Sequence, residues 1–181
     1  MVKLMERPDV PDGYPADLEG TLVLPDGRSV SVRPILPSDY EQLATAAETA
    51  DEETLLNRFF TTAPQLSPKR LHYLAEVDYD SRLALVALDE DDEGIAVARY
   101  EGHPGSDTAE VAVVVDRAWR RQGLASTLLT RLEPAAVARG ITHFEAYYLP
   151  QNHAIAEVFQ SLAYSPQRFE EGVAKVDKQL A

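Results

Sequence analysis

The chain has 181 residues, no cysteine, and 30 acidic against 17 basic side chains, for a formal charge of −13. The absence of a thiol excludes disulfides, thiolate catalysis and cysteine-based zinc sites, and so acidic a surface would repel nucleic-acid phosphates. The length suits one domain with a real core, no apolar run approaches the roughly 18 residues that span a bilayer, and the charged, proline-bearing start is no secretory signal. The expectation is a cytoplasmic protein with no membrane partner, whose acidic surface serves solubility, with attraction of a cationic partner as the alternative.

Residues 1–17, broken by Pro8, Pro11, Gly13 and Pro15, read as a flexible leader, and residues 18–181 as one domain. Residues 18–24 and 29–33 alternate around Asp26-Gly27, a hairpin signal. Pro37-Ser38 followed by Glu41 reads as a capping box that opens a helix to about residue 50. A short helix over 52–59 follows, and Ser67-Pro68 starts a third, with Leu71 and Leu74 on one face. The period then changes. Residues 83–88 and 95–100 read as strands about an acidic turn, and 110–115 as a valine-rich strand after a loop at 103–107. Residues 122–139 are helical, with a stripe of Leu124, Leu128, Leu129, Leu132 and Val137, and Gly140 stops them. A strand over 141–148, a helix capped by Asn152 and running to about 162, and strands over 164–169 and 173–178 complete the chain. This order predicts an α/β (α+β) fold, a mixed, mostly antiparallel sheet with helices on both faces.

The stretch from Glu110 to Leu129 carries the most chemical information. An apolar strand ends at Val115, Trp119 anchors a turn, and Arg120, Arg121, Gln122, Gly123, Leu124, Ala125 and Ser126 lead into a helix. The first amides of a helix lack intrahelical partners and sit at the positive end of its dipole. Gly123 and Ala125 are small enough for a phosphate to approach the main chain. Neither Gly-Lys-Ser/Thr nor G-x-G-x-x-G occurs, so the Walker and dinucleotide loops are excluded. The residues alone leave two readings open: an anion site, or a plain strand–turn–helix whose arginines face water.

Arg120 to Ala125 resembles the Arg/Gln-x-x-Gly-x-Gly/Ala acetyl-CoA motif of the GNAT superfamily of N-acetyltransferases. Val113, Val114 and Val115 resemble the strand that pairs with the pantetheine arm in that family, and the run from Asn152 to Ala163-Tyr164 resembles its second signature. The resemblance covers roughly residues 31–178. Arg58-Phe59-Phe60, the helix at 67–75 and Ala109-Glu110-Val111-Ala112 are similar to the Pat-type bacterial protein lysine acetyltransferases. Some Pat-type proteins carry a further regulatory domain, for which a chain of this length has no room.

The resemblance implies acetyl-CoA as cosubstrate and an amine acceptor, either a lysine on a protein such as an acyl-CoA synthetase or a small amine. It makes Glu110 the general base that deprotonates the amine. A backbone N–H between Val113 and Val115 would polarise the carbonyl, and Asn152 would reach the pantetheine arm or merely cap its helix. The family's tyrosine, placed to protonate the leaving thiolate, is replaced by Phe159, with Tyr148 or Tyr164 as substitutes if they are not core. That replacement motivates a third reading, a non-catalytic acyl-CoA-binding module. Phe59, Phe60 and Tyr100 are candidates for the acceptor groove, with core packing the competing role for the phenylalanines. His72, His103, His143 and His153 show no metal-ligand spacing, so no metal is expected.

Overall fold

The structure is a computed structural model that describes residues 10–61 and 64–180. The strands are β1 (Gly20–Val23), β2 (Ser29–Pro34), β3 (Arg82–Leu88), β4 (Gly94–Gly102), β5 (Thr108–Val115), β6 (His143–Tyr148), β7 (Arg168–Glu170) and β8 (Val173–Gln179). The helices are α1 (Tyr40–Thr49), α2 (Glu52–Phe59), α3 (Pro68–Ala75), α4 (Leu124–Val137) and α5 (His153–Ser161). The strands form one sheet in the order β1-β2-β3-β4-β5-β6-β8-β7. Every neighbouring pair is antiparallel except β5 and β6. This is the mixed sheet that the element order predicts.

Strand alternation separates two faces. On β4, Ala98 and Tyr100 are fully buried on the face that packs against Leu124, Leu128, Leu129 and Leu132 of α4. Burying each of these leucines contributes roughly 2 kcal/mol. The other face carries α1, α2 and α3 over a smaller cluster of Ile35, Ala84, Val86 and Leu88. Of these three helices only α3 fully buries residues, namely Leu71, Leu74 and Ala75.

Several details differ from the sequence reading. Helix α4 begins at Leu124 rather than Gln122, because Arg121 and Gly123 both adopt left-handed backbone. Val137 is 38% exposed and not part of the stripe. It lies about 100° around the helix from buried Ala136, on the water side. Pro134 sits inside α4 and gives no N–H to the carbonyl of Thr130, but both residues are exposed and water can serve that carbonyl. Gly140 ends the helix as expected, at φ 81°, with the Ile141 N–H bonded to the Ala136 carbonyl at 3.0 Å.

Residues 1–9 of the expected leader lie outside the described residues. Two of residues 10–17 make contacts with the domain. Pro15 is buried, and the Tyr14 ring packs edge-on against Tyr79 at 5.6 Å. Ser38 does not cap α1. A tight turn at Pro37–Asp39 precedes the helix, and Asp39 closes it by accepting the Leu36 N–H at 2.7 Å. The same carboxylate takes both arms of Arg33, at 2.6 and 2.7 Å. A charged acceptor already held by arginine outcompetes a serine hydroxyl. β7 starts at Arg168 because Tyr164, after left-handed Ala163, turns into the core instead of along the sheet edge.

Replacing Asp39 strands the Arg33 guanidinium and opens the turn. Asp39→Ala is expected to lower unfolding free energy by about 3 kcal/mol, the low end for a buried pair, in urea titration. Asp26→Ala, which breaks the exposed pair with Arg28, should leave the midpoint unchanged. Equal effects of the two substitutions would show that the turn stands without its carboxylate.

Candidate active site

β5 and β6 pair only at Thr108↔His143, Ala109↔Phe144 and Glu110↔Glu145. Beyond Glu110, β5 stays on β4 as far as Val115↔Ala96, while β6 stays on β8 as far as Tyr148↔Ala174. The two parallel strands therefore part, and a wedge opens between them. Peptide groups alternate sides along a strand. The Asp107 carbonyl accepts the N–H groups of Thr142 and His143 on the β6 side, whereas the Thr108 carbonyl and the Asp116 N–H bond on the β4 side, the latter to Ile95 at 2.8 Å. By this alternation the amides of Val113 and Val115 point into the wedge, where β6 offers no register partner.

The turn after β5 lies at the mouth of this wedge. Asp116 accepts the Ala118 N–H at 2.9 Å, and the Arg28 guanidinium covers Trp119 at 3.7 Å from the ring centroid. Arg121 at φ 63° and Gly123 at φ 77° bring the chain into α4 with no side chain capping the helix. The first amides, on Leu124, Ala125 and Ser126, remain available to a ligand, and the space where a Gly123 side chain would stand is open. The two arginines separate. Arg121 is exposed and makes no ion pair among the described residues. Arg120, expected to add charge to the same site, turns to α2 instead. It donates to the Val115 carbonyl at 3.3 Å and to the Thr54 hydroxyl at 2.8 Å, with Glu53 at 3.5 Å.

Glu110 occupies the last position at which β5 and β6 pair. It belongs to a row of carboxylates in direct register across four strands: Glu101, Glu110, Glu145 and Asp177. Three of them are engaged. Tyr73 donates to Glu101, and Arg168 to Asp177. Glu145 is held by Lys175 at 2.9 Å and His103 at 2.8 Å. Burial works against the Glu145 charge, but these donors outweigh it and keep the carboxyl below its ordinary range. Glu110 is exposed and has no hydrogen bond or ion pair among the described residues.

Asn152 follows the turn at the end of β6 and accepts the Ile155 N–H at 3.3 Å, so it caps α5. Phe159 is buried, with ring centroids 5.8 Å from Tyr148 and 4.8 Å from Tyr164. Tyr148 donates to Gln167 at 3.0 Å, and the buried Tyr164 hydroxyl meets no partner among the described residues. Burial raises both phenols above their ordinary range, so both belong to the core. Tyr100 is no groove residue: it is buried on the α4 face and donates to the Asp80 carbonyl. Phe60 is not core, being 43% exposed in a left-handed conformation that ends α2, while Phe59 is half-buried. The sequence reading passed over Arg99. Its signal was one arginine in the otherwise apolar run Ile95-Ala96-Val97-Ala98, at a position that alternation assigns to the α1–α3 face.

Residues 46–164 match the acetyltransferase (GNAT) family. The GNAT domain of S. lividans PAT superposes with a TM-score of 0.84 at 36% identity, over 92% of this chain and 99% of that one. Acetyltransferase Pat of Mycolicibacterium smegmatis is 34% identical over 140 residues, 72% of this chain and 40% of that protein, so the chain spans well under half of that relative. An acetyltransferase of Pseudomonas aeruginosa is 26% identical over 161 residues, 87% of each chain.

The left-handed turn sets a stability test. A methyl group at position 123 would meet nothing within 4 Å, so Gly123→Ala should cost only the backbone strain of an L-residue at φ 77°, about 1–2 kcal/mol. Urea unfolding measures this; a cost near zero would mean that the turn relaxes freely.

Proposed function

Because the chain belongs to the acetyltransferase (GNAT) family, we propose that it moves the acetyl group of acetyl-CoA to the side-chain amine of a protein lysine, with Glu110 as general base. The observation that carries this reading is the lone carboxylate at the point where β5 and β6 part. It is the member of its row with no hydrogen-bond or ion-pair partner among the described residues. The lysine acceptor draws support from the resemblance of Arg58-Phe59-Phe60 and Ala109-Glu110-Val111-Ala112 to Pat-type protein lysine acetyltransferases and from the exposure of Glu110, which a side chain presented on a protein surface can reach. An acyl-CoA synthetase is the first protein to test.

The residues fit the cosubstrate. A diphosphate suits the uncapped amides of Leu124, Ala125 and Ser126, with Gln122 and Gly123 in the same turn and Arg121 adding charge. The arm suits the unpaired edge of Val113, Val114 and Val115, with Asn152 across the wedge. Acetyl-CoA supplies an activated acyl group on a thiolate that leaves readily.

The protein then has three tasks. Glu110, directly or through one water, takes a proton from the ammonium so that the nitrogen lone pair can form the new N–C bond. A wedge-facing N–H of Val113 or Val115 donates to the carbonyl oxygen as negative charge develops there. As the C–S bond breaks, the thiolate takes a proton from water, because Phe159 has none to give and Tyr148 and Tyr164 are held in the core. Orientation along the strand supplies much of the acceleration.

Two measurements test this account. Calorimetric titration with acetyl-CoA is expected to give one site per chain, weakened at least about tenfold by Arg121→Glu and by Gly123→Asp, given the charge and helix-terminus energies involved. Unchanged affinity in both variants would refute the diphosphate site. Glu110→Gln should lower kcat roughly 10²–10⁴-fold while leaving acetyl-CoA affinity intact. If no acceptor distinguishes the variant from the parent protein, the binding-module reading takes over.

A further inference from the structure

Helices α1 and α2 cover their face of the sheet without fully burying a residue of their own. Beneath them lies a cavity of about 640 Å³, floored by Val86, Val97 and Val114 and roofed by Leu55 and Leu71. That volume is typical of small-ligand sites. Three guanidinium groups line it, Arg58 from α2, Arg99 from β4 and Arg117 from the turn after β5, and so do the carboxylates of Asp39, Glu41, Asp51, Glu93 and Asp116. Of the arginines, Arg99 is the one that the sheet register sets near Glu110, and Arg58 is the one that Glu110 attracts. Arg99 has Ala84 on one side and Ala112 on the other in register, so small neighbours leave space around its head group.

Among the described residues neither Arg58 nor Arg99 forms an ion pair. A guanidinium carries five N–H donors. Among the described residues Arg99 makes one hydrogen bond, to the Leu74 carbonyl at 3.1 Å, and Arg58 makes none, resting 5.0 Å over the Phe59 ring. Burial pushes Arg99 down to about 9, with Arg58 repelling it. Burial also lowers Arg58, against the attraction of Glu110. Two neighbouring cations, half-buried and without an ion pair among the described residues, serve no packing need that leucine or methionine would not serve better. They do suit a planar bidentate anion such as a carboxylate.

We infer that this cavity is the anionic half of the acceptor site, and that the acceptor is a primary amine carrying a carboxylate, gripped by Arg58 and Arg99 while its amine meets Glu110. The inference rests on the acetyltransferase reading and specifies its acceptor. Arg99 stands opposite Ala112, and Glu110 is the next residue along β5 on the same face. Two strand residues span about 7 Å, so amine and carboxylate are separated by a short chain of bonds. Two sources offer that chemistry: a small amino acid, or an acidic side chain beside the reactive lysine of a protein.

Paired acceptors decide. Acetylation is measured for 4-aminobutyrate against butylamine, and for a lysine peptide flanked by glutamate against the same peptide flanked by glutamine. In at least one pair the carboxylate-bearing member should show kcat/KM at least tenfold higher, and the pair that responds identifies the source. Arg58→Gln and Arg99→Met should reduce that ratio to about one, with Arg99→Lys, which keeps the charge, as the variant to use if Arg99→Met does not fold. Equal rates within both pairs would overturn the inference. Independently, calorimetric titration with glutarate, which cannot be acetylated, should show saturable binding that Arg58→Gln abolishes. If no amine is acetylated yet glutarate binds in this way, the cavity assignment stands and the transferase reading falls; absence of glutarate binding counts against the cavity.

Discussion

The structure turns on the parting of two parallel strands. Slanted parallel pairing is slightly weaker than antiparallel pairing, and each strand already has an antiparallel neighbour on its other side, β4 for β5 and β8 for β6. Each follows that neighbour once Glu110↔Glu145 is passed. Arg120 reinforces the separation by bonding the Val115 carbonyl and tying the end of β5 to α2. An edge of unpaired amides in the middle of a sheet would ordinarily invite another strand. Here it lies between fixed walls, with an uncapped helix start at its open end, so it suits a slender polar ligand rather than a further β-strand.

Much of this frame was legible in the sequence because local chemistry wrote it. Asp26-Gly27, Gly140 and the valine run each mark a feature that needs no knowledge of distant residues, and each sits where the pattern put it. The misses share a cause. Ser38 lies inside a turn whose Asp39 carboxylate is held by Arg33, on β2, and accepts the Leu36 N–H, and no side chain caps α1. Tyr14 is anchored by Tyr79, far along the chain. Arg120 and Arg121 look alike in sequence, and only the docking of α2 separates them. The significance of Arg99 depends on its strand neighbours Ala84 and Ala112 and on helices that cover it without filling the space.

The two faces of the sheet divide the work. On the α4 side, leucines and aromatic rings close-pack against β4 and β6, and most of the burial energy resides there. On the other side the helices sit over space, and the polar groups lining it are incompletely paired. A tight face can carry an open one because stability is set by the whole domain, while recognition needs only part of it. Phe159 shows the same division. It lies in the packed layer between Tyr148 and Tyr164, so the position at which the family resemblance expects a tyrosine is here an element of the core.

The row of carboxylates argues in the same direction. Like charges directly opposite one another across strands destabilise a sheet, and the protein offsets this at three of the four positions, with Tyr73, with Lys175 and His103, and with Arg168. A purely structural row would gain by pairing the fourth as well. Arg58, a cation that could do so, feels Glu110 as its main attraction yet forms no ion pair with it. Leaving that one pair open keeps a carboxylate exposed at the parting of the strands and, on the same face, a cation lining the cavity. An acceptor with a proton to lose and a negative group to place would satisfy both at once, and the sheet register itself fixes how far apart its two ends must be.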